Sequence, residues 1–243
     1  MFDNPLPLLL ALGVFAGALV SGFTGFAFSA VAGAVLLHVL PPVEAIPLMM
    51  ACSVLVQSTS LVSLRRSVPW RNVLPLIGGG LAGLPLALYY LRHGDPAVIR
   101  AGFGIFLAAY AAYMLFRPKA RYFEHTPGSG LEAAIGFVGG LLGGITAMPG
   151  AIPAIWCGLR GIPKDRQRGT VQPYIAAMQI AALAFLAAQR GLPQALAGYL
   201  LYAVIPLVAG VLLGLALFGK VSDALFRRAL LCVLLASGLG YVL

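Results

Sequence analysis

Charged side chains are scarce in this sequence. Only 9% of its 243 residues are Asp, Glu, Lys or Arg, whereas 60% are hydrophobic. A soluble domain carries about 25% charged residues, so this chain has too few charges to cover a surface that faces water. Its apolar residues run on for whole helical lengths and do not alternate with polar ones, which excludes the strands of a membrane barrel. The composition therefore predicts an all-α integral membrane protein, with the lipid bilayer as its main partner.

Acidic, histidine and cysteine residues are few, and their positions exclude several classes of function. We expect none of the seven acids to lie in the middle of a span, although ion-coupled pumps usually bury a carboxylate there. The three histidines show no spacing typical of a metal site, and Cys52, Cys157 and Cys232 show no paired spacing. We therefore predict no catalytic residue, no metal and no cofactor, and we leave proton coupling open.

Proline, glycine and charge divide the chain into ten apolar segments. A full span needs about 20 residues, and the first, second, sixth and seventh segments fall short of that length. These four form two short pairs, interrupted by the glycine-rich sequences at 21–25 and 143–150. The ten predicted segments are 6–20, 25–40, 45–64, 73–91, 97–116, 131–142, 149–159, 169–188, 195–218 and 221–243.

The positive charges predict the topology. If all ten segments switch sides and the N-terminus lies outside, only Arg92, Arg100 and Arg190 of the 16 Lys and Arg residues face outward, as the positive-inside rule requires. Fusing each short pair into one long helix gives eight spans and moves the basic loop 160–168 to the side opposite 65–71, so we reject that arrangement. The net charge of +9 is then explained by cytoplasmic loops that face anionic lipid. It does not indicate a nucleic-acid partner. Both termini are predicted outside, and each short pair is either two thin spans or a re-entrant hairpin.

The two halves of the chain resemble each other weakly. A shift of about 122 positions lays Gly22 on Gly144, Thr24 on Thr146 and Gln57 on Gln179. We therefore predict a first repeat at 1–118, a cytoplasmic linker at 119–130 and a second repeat at 131–243. Because each repeat has five segments, an odd number, the repeats are expected to be inverted, as in many secondary transporters.

The two interrupted pairs predict a substrate site. A break exposes backbone N–H groups at the start of the next helix, where the helix dipole favours an anion. Glycine there allows close backbone approach, and threonine offers a hydroxyl group. The alternative is that the glycines only allow close helix packing, as we expect for Gly13/Gly17, Gly79/Gly83, Gly136/Gly140 and Gly210/Gly214. The predicted substrate-binding residues at the breaks are Gly22, Thr24, Gly25, Gly144, Thr146 and Pro149, with Pro149 expected in the first turn of its helix.

Two glutamines complete the predicted site. Gln57 and Gln179 lie inside apolar helices at matched positions, and a buried amide must find polar partners in the interior of the bundle. An amide N–H₂ is a neutral donor suited to an oxyanion, although bonding between helices would also explain it. We expect the site where the broken pairs and the glutamine helices meet. Further candidates for lining the site are Ser29, Ser53, Trp156 and Tyr174, although packing would also explain Ser29, Trp156 and Tyr174.

Several motifs resemble one family of membrane proteins. They read GFTGFAF at 22–28, LPPVEAIPL at 40–48 and RSVPWRNVLPL at 66–76, then GGLLGGITAMPG at 139–150 and GIPKDRQRGT at 161–170. Together they resemble both halves of the sulfite exporter TauE/SafE family, also called toluene sulfonate uptake permeases. The resemblance implies transport of a small sulfur-containing anion, such as sulfite or a sulfonate, across the bacterial inner membrane. Relatives commonly place Asn where this chain has Gln57 and Gln179, which leaves the particular anion open.

The expected function is therefore secondary transport of that anion by alternating access. A passive anion channel and a transporter of small carboxylates are the alternatives. The direction of transport and the oligomeric state stay open.

Overall fold

The described part of the chain is helical throughout. The structure is a computed structural model that describes residues 6–24, 27–64, 68–116 and 128–217, together with residues 231, 235 and 238. Within these residues it contains nine α-helices and no strand, which confirms the predicted all-α class. The helices are α1 Leu6–Thr24, α2 Phe28–Val39, α3 Pro42–Leu64, α4 Trp70–His93, α5 Pro96–Phe116, α6 Ser129–Thr146, α7 Ala151–Leu159, α8 Lys164–Ala188 and α9 Leu196–Leu217.

These nine helices coincide with nine of the ten predicted segments. The tenth, 221–243, lies outside the described residues except for the three single positions. Five helices among the described residues are long and apolar enough to cross a membrane, namely α4, α6 and α9 over their full lengths, α5 over Pro96–Tyr113 and α8 over Arg166–Ala188. The shorter apolar stretches are Leu6–Gly22, Phe28–Val39 and Pro42–Ser58. A count of ten crossings therefore stays a prediction.

Two helices continue beyond the breaks that the sequence predicted. We expected breaks after residues 20 and 142, but α1 continues to Thr24 and α6 to Thr146. The reason is tertiary packing, which overrides the low helix propensity of glycine. Gly22 lies against the backbone of Val211 on α9, and Gly144 lies against Ala87 on α4. Both glycines are therefore helix-packing residues in this structure.

Pro149 is also placed differently from our expectation. We predicted it in the first turn of its helix, but α7 begins at Ala151 and Pro149 lies in the preceding turn. The turn is closed by the Ala151 N–H group, which donates to the carbonyl oxygen of Met148 at 3.2 Å. The fixed backbone angle of proline shapes the turn here and does not begin the helix.

The helices form two compact units, and each unit takes helices from both halves of the sequence. The first consists of residues 1–52, 94–117 and 192–243, and the second consists of residues 53–93 and 118–191. α3 contributes its first part to one unit and its second part to the other. The assignment of the sequence halves to two repeats stays a prediction.

In the first unit, α1 packs between α9 and α2. A methyl group on Gly210 of α9 would lie 2.6 Å from the carbonyl oxygen of Phe15, so the two backbones touch. On the other side of α1, a methyl group on Gly17 would lie 2.8 Å from the carbonyl oxygen of Phe28. At the start of α9, the Tyr199 hydroxyl group donates to Oε2 of Glu44 at 2.8 Å and ties α9 to α3.

In the second unit, α4 and α6 pack in the same way. A methyl group on Gly83 would lie 2.5 Å from the carbonyl oxygen of Phe137. The contact positions rise together along both helices, so α4 and α6 are parallel, and the glycine stripes expected to pack do so. The other backbone contacts join Gly79 with Ala133, Gly136 with Leu76, and Gly140 with Gly80.

Both short pairs are helical hairpins. In the second unit, a methyl group on Gly143 would lie 2.5 Å from Cβ of Pro149, and one on Gly139 would lie 3.3 Å from Cδ of Pro153. The contact positions run in opposite directions along α6 and α7, so the chain reverses at the break. α1 and α2 are antiparallel by the same criterion, because Gly13 meets Val35 and Gly17 meets Ala32. This excludes the fused long helices of the eight-span arrangement.

The far end of α7 is closed by a glycine. Gly161 adopts φ 64°, a left-handed conformation that glycine tolerates best. It allows the N–H groups of Gly161 and Ile162 to bond to Gly158 and Cys157 at 3.1 and 3.0 Å, the pattern that ends a helix. α8 then starts after Pro163, so a short turn directs the basic sequence at 164–168 into the next helix.

The ends of α4 and α8 lie together. Nη1 of Arg92 donates to Oε1 of Gln189 at 3.0 Å, as the predicted topology requires for two ends on the same side. Whether that side is the outer one is a prediction that cysteine labelling tests. Once the three native cysteines are replaced by serine, a membrane-impermeant maleimide is expected to label Gln194→Cys in intact cells and to leave Lys119→Cys unlabelled until the membrane is permeabilised. Residue 119 lies outside the described residues, and its labelling from outside would overturn the ten-segment topology.

Candidate functional site

The break between α6 and α7 is a buried turn. α6 ends at Thr146, Ala147 takes the left-handed conformation with φ 56°, and α7 begins at Ala151. Every residue from Thr146 to Ala151 is buried. An irregular backbone at this depth needs polar partners, because lipid and apolar side chains offer none. We call residues 146–151 the hairpin tip.

The Thr146 side chain supplies one of these partners. Its hydroxyl group donates to the carbonyl oxygen of Leu142 at 2.6 Å and accepts the N–H group of Met148 at 3.2 Å. A hydroxyl group has one hydrogen to donate, and here that hydrogen is already used. Thr146 therefore stabilises the break in this conformation, and it would have to rotate before donating to an anion.

Gln179 reaches the hairpin tip from α8. Its side chain is 1% exposed, and its Nε2 donates to the carbonyl oxygen of Ala147 at 3.1 Å. The Oε1 atom of the same amide is also buried and has no hydrogen-bond partner among the described residues. Leaving a buried polar group without a partner costs about 1–3 kcal/mol. Gln179 thus faces the interior at the break, and its role in binding stays a prediction.

The amide of Gln179 lies close to the middle of its helix. The apolar stretch of α8 runs over Arg166–Ala188, and Gln179 comes thirteen residues after its start and nine before its end. At a rise of about 1.5 Å per residue, the hairpin tip lies about 14 Å short of the far end of α8. The tip therefore stops well inside the length of the helix against which it packs.

Tyr174 lies one turn and a half before Gln179 and has a structural partner. Its side chain is fully buried, and its hydroxyl group donates to the carbonyl oxygen of Gly136 at 2.6 Å. It packs with Leu76 and Met178 in the core where α4 meets α8. This environment explains Tyr174 by packing, which was the alternative to a lining role.

The opposite end of the same hairpin holds a pair of charges. Glu132, in the first turn of α6, is 6% exposed, and its Oε1 lies 3.8 Å from Nη1 of Arg160 at the end of α7. The Arg160 guanidinium group lies 5.7 Å from the ring centroid of Trp156, whose Nε1 is buried without a hydrogen-bond partner among the described residues. Sequence reasoning had set Glu132 aside as an acid at a span end. The antiparallel hairpin was the missing information, because it brings residues 132 and 160 to the same level.

The other predicted residues lie on the first unit and on α3. Gly22 packs against α9, the side chain of Thr24 is not described, and Gly25 lies outside the described residues. Ser29, in the first turn of α2, is buried, and the residue before that helix, Ala27, has a φ of 76°. The first hairpin thus also carries a left-handed alanine at its break.

Ser53 and Gln57 lie one turn apart on α3. Their side chains are 3% and 4% exposed, so both are directed into the protein, as expected. In the second unit, Thr146, Pro149 and Gln179 come together at the hairpin tip. The structure thus brings three of the predicted residues into one cluster.

Nearly the whole chain matches one family. A family model described as sulfite exporter TauE/SafE covers residues 9–241. The chain belongs to the sulfite exporter TauE/SafE family. The resemblance of the sequence motifs is therefore confirmed over nearly the full length. No curated protein and no solved structure matches the chain.

Membership of this family establishes the broad class of the protein. TauE/SafE is a transporter family, and the five apolar helices agree with a multi-pass membrane protein. A small anionic substrate that contains sulfur, and a surrounding lipid bilayer, follow from the family.

Proposed function

We propose that this protein is a secondary transporter that moves a small sulfur-containing anion across the bacterial inner membrane by alternating access. The observation that carries the proposal is the hairpin tip, where a broken helix and the buried amide of Gln179 meet in the middle of the apolar length of α8. Transporters that use broken helices place their substrate near the bilayer midplane. The family supplies the class of substrate.

We also propose that the halves 1–118 and 131–243 are inverted repeats. Under the shift of about 122 positions, Phe15 falls on Phe137. The carbonyl oxygen of Phe15 meets Gly210, and the carbonyl oxygen of Phe137 meets Gly83. The first helix of each half thus packs its backbone against a glycine on the fourth helix of the other half. Repeats of five segments supply the two equivalent halves that alternating access uses.

Exchange in proteoliposomes tests the transport mechanism. We expect uptake of radiolabelled sulfite to saturate and to accelerate several-fold when unlabelled sulfite is present inside, because a loaded carrier returns faster than an empty one. Non-saturating uptake without this acceleration would instead indicate a passive channel. Competition by acetate or succinate as strong as that by ethanesulfonate would contradict the sulfur-anion assignment and favour a carboxylate transporter.

A further inference from the structure

We infer that the hairpin tip selects a singly charged anion that carries its own hydrogen-bond donor, such as hydrogen sulfite, over a dianion without one. The inference rests on the proposed function, because it specifies the substrate of the same site. It concerns which form of the anion is bound, which neither the family nor the motifs indicate. Two independent observations support it.

The first observation is the unpaired acceptor. The amide of Gln179 uses Nε2 to bind Ala147, which fixes the orientation of the amide and leaves Oε1 as a buried acceptor that has no partner within the described part of the chain. An acceptor is satisfied only by a donor. Sulfite and thiosulfate dianions have no hydrogen to donate, whereas hydrogen sulfite has one O–H group when its proton is on oxygen. A ligand with a hydroxyl group is therefore the one that removes the cost of burying Oε1.

The second observation is the absence of charge along the helices that surround the tip. The sequence has no charged residue at 72–91, 133–159 or 169–189, which covers the inner lengths of α4, α6, α7 and α8. The cost of moving an ion from water into such surroundings rises with the square of its charge. In the absence of a fixed cation, burial at the tip costs a dianion far more free energy than it costs a monoanion.

The titratable groups on the neighbouring helices lie in end turns, apart from Tyr174 and Cys157. The hydroxyl group of Tyr174 on α8 donates its hydrogen to the carbonyl oxygen of Gly136, and Cys157 is buried on α7. The charged groups stand in the end turns, with the Glu132 and Arg160 pair at the base of the hairpin. α4 carries Arg71 in its first turn and Tyr89, Tyr90, Arg92 and His93 in its last turns, and the first turns of α8 carry Lys164, Asp165, Arg166 and Arg168.

The inference also provides a route for a proton that needs no membrane-embedded carboxylate. If hydrogen sulfite is the species carried, the proton travels on the substrate, and the protein needs no titratable residue at the site. Each turnover then moves one anion with its proton and breaks no bond.

A matched pair of ligands tests the inference at one fixed pH. 2-Hydroxyethanesulfonate and ethanesulfonate are both monoanions, and they differ by a single hydroxyl group. We expect calorimetry on the purified wild-type protein to give about tenfold tighter binding of the hydroxylated ligand, the effect of one hydrogen bond to an otherwise unpaired group. In Gln179→Leu, which lacks Oε1, the ratio of the two affinities should fall to about one.

A pH series with sulfite provides the second measurement. Above the pH at which hydrogen sulfite loses its proton, its apparent affinity should fall about tenfold per pH unit, because the bound species becomes scarcer. Ethanesulfonate, which does not titrate in this range, is the control and should bind equally well throughout. Equal affinity for the two sulfonates, or tighter binding of sulfite as it becomes a dianion, would overturn the inference. Both comparisons use the wild-type protein, so they remain decisive if Gln179→Leu does not fold. Failure of every sulfur anion to bind would instead contradict the proposed function.

Discussion

Replacing Gly79 by alanine is expected to prevent the second unit from folding. A methyl group at this position of α4 would overlap the backbone of Ala133 on α6, and neither helix can move aside, because Gly83, Gly136 and Gly140 hold the same interface. Helices associate in membranes mainly through such close packing, because the hydrophobic effect does not drive association between helices that are surrounded by lipid. Separating the two helices along their length should cost more than about 4 kcal/mol, which is exceptional for a single methyl group.

Gly78 provides the matched control on the same helix. It is exposed, and a methyl group there would meet nothing within 4 Å. Gly78→Ala should be neutral or should stabilise the helix by at most about 1 kcal/mol, the difference in helix propensity. Thermal unfolding in detergent, followed by size-exclusion chromatography, compares the two variants with the wild type. Equal melting temperatures for Gly79→Ala and Gly78→Ala would show that α4 and α6 do not pack through these glycines.

The same packing changes how the predicted glycine sites can be tested. From sequence, Gly144 was expected to allow the substrate close to the backbone, a role that a substitution by leucine would be used to test. In the structure, a methyl group on Gly144 would lie 2.5 Å from Cβ of Ala87. Gly144→Leu would therefore disturb the contact between α4 and α6 whether or not the residue binds substrate. A loss of transport in that variant would not identify a site.

The sequence predicts the helices well because their signals are local. Runs of apolar residues and the prolines between them located nine segments, and the glycine stripes predicted which faces pack closely. The ends of α1 and α6 were misplaced, since a glycine-rich stretch continues a helix when its neighbour packs against it. That condition depends on α9 and α4, which are far away along the chain.

The site was only partly predictable, for the same reason. A buried amide on α8 and a break after α6 are visible in the sequence, and the weak similarity of the two halves predicts that they meet. The occupied hydroxyl group of Thr146 and the unpaired Oε1 of Gln179 depend on the angle at which the hairpin turns. Glu132 was missed because its partner, Arg160, is brought near only by the reversal of the chain.

At a pH at which the new carboxyl group is ionised, Gln179→Glu is expected to abolish transport, and it should do more damage than Gln179→Leu. The carboxylate has no hydrogen to donate to the carbonyl oxygen of Ala147, so the 3.1 Å hydrogen bond becomes a repulsive contact between two oxygens. It also places a negative charge on a side chain that is 1% exposed, with no charged residue nearby on α6, α7 or α8 to compensate it. An incoming anion would be repelled at low dielectric.

The leucine variant separates these effects. Gln179→Leu keeps roughly the same volume and adds no charge, so it removes only the hydrogen bond and the free acceptor. We expect it to weaken sulfite or sulfonate binding about five- to thirtyfold, which corresponds to about 1–2 kcal/mol. Part of the loss will appear as lower stability, because the Ala147 carbonyl oxygen is left without its partner. Melting temperatures measured beside the saturation kinetics distinguish that part from a loss of binding.

Gln57 offers the comparison that decides between a binding role and a purely structural one. Gln57 on α3 is buried like Gln179 and occupies the matched position in the first half. If both amides bind the substrate, Gln57→Glu should therefore reduce transport more than Gln57→Leu does. Saturation kinetics in proteoliposomes should therefore place both Glu variants below both Leu variants. If Gln179→Glu and Gln57→Glu instead leave the affinity for the anion intact in folded protein, the amides only join helices and the substrate binds elsewhere.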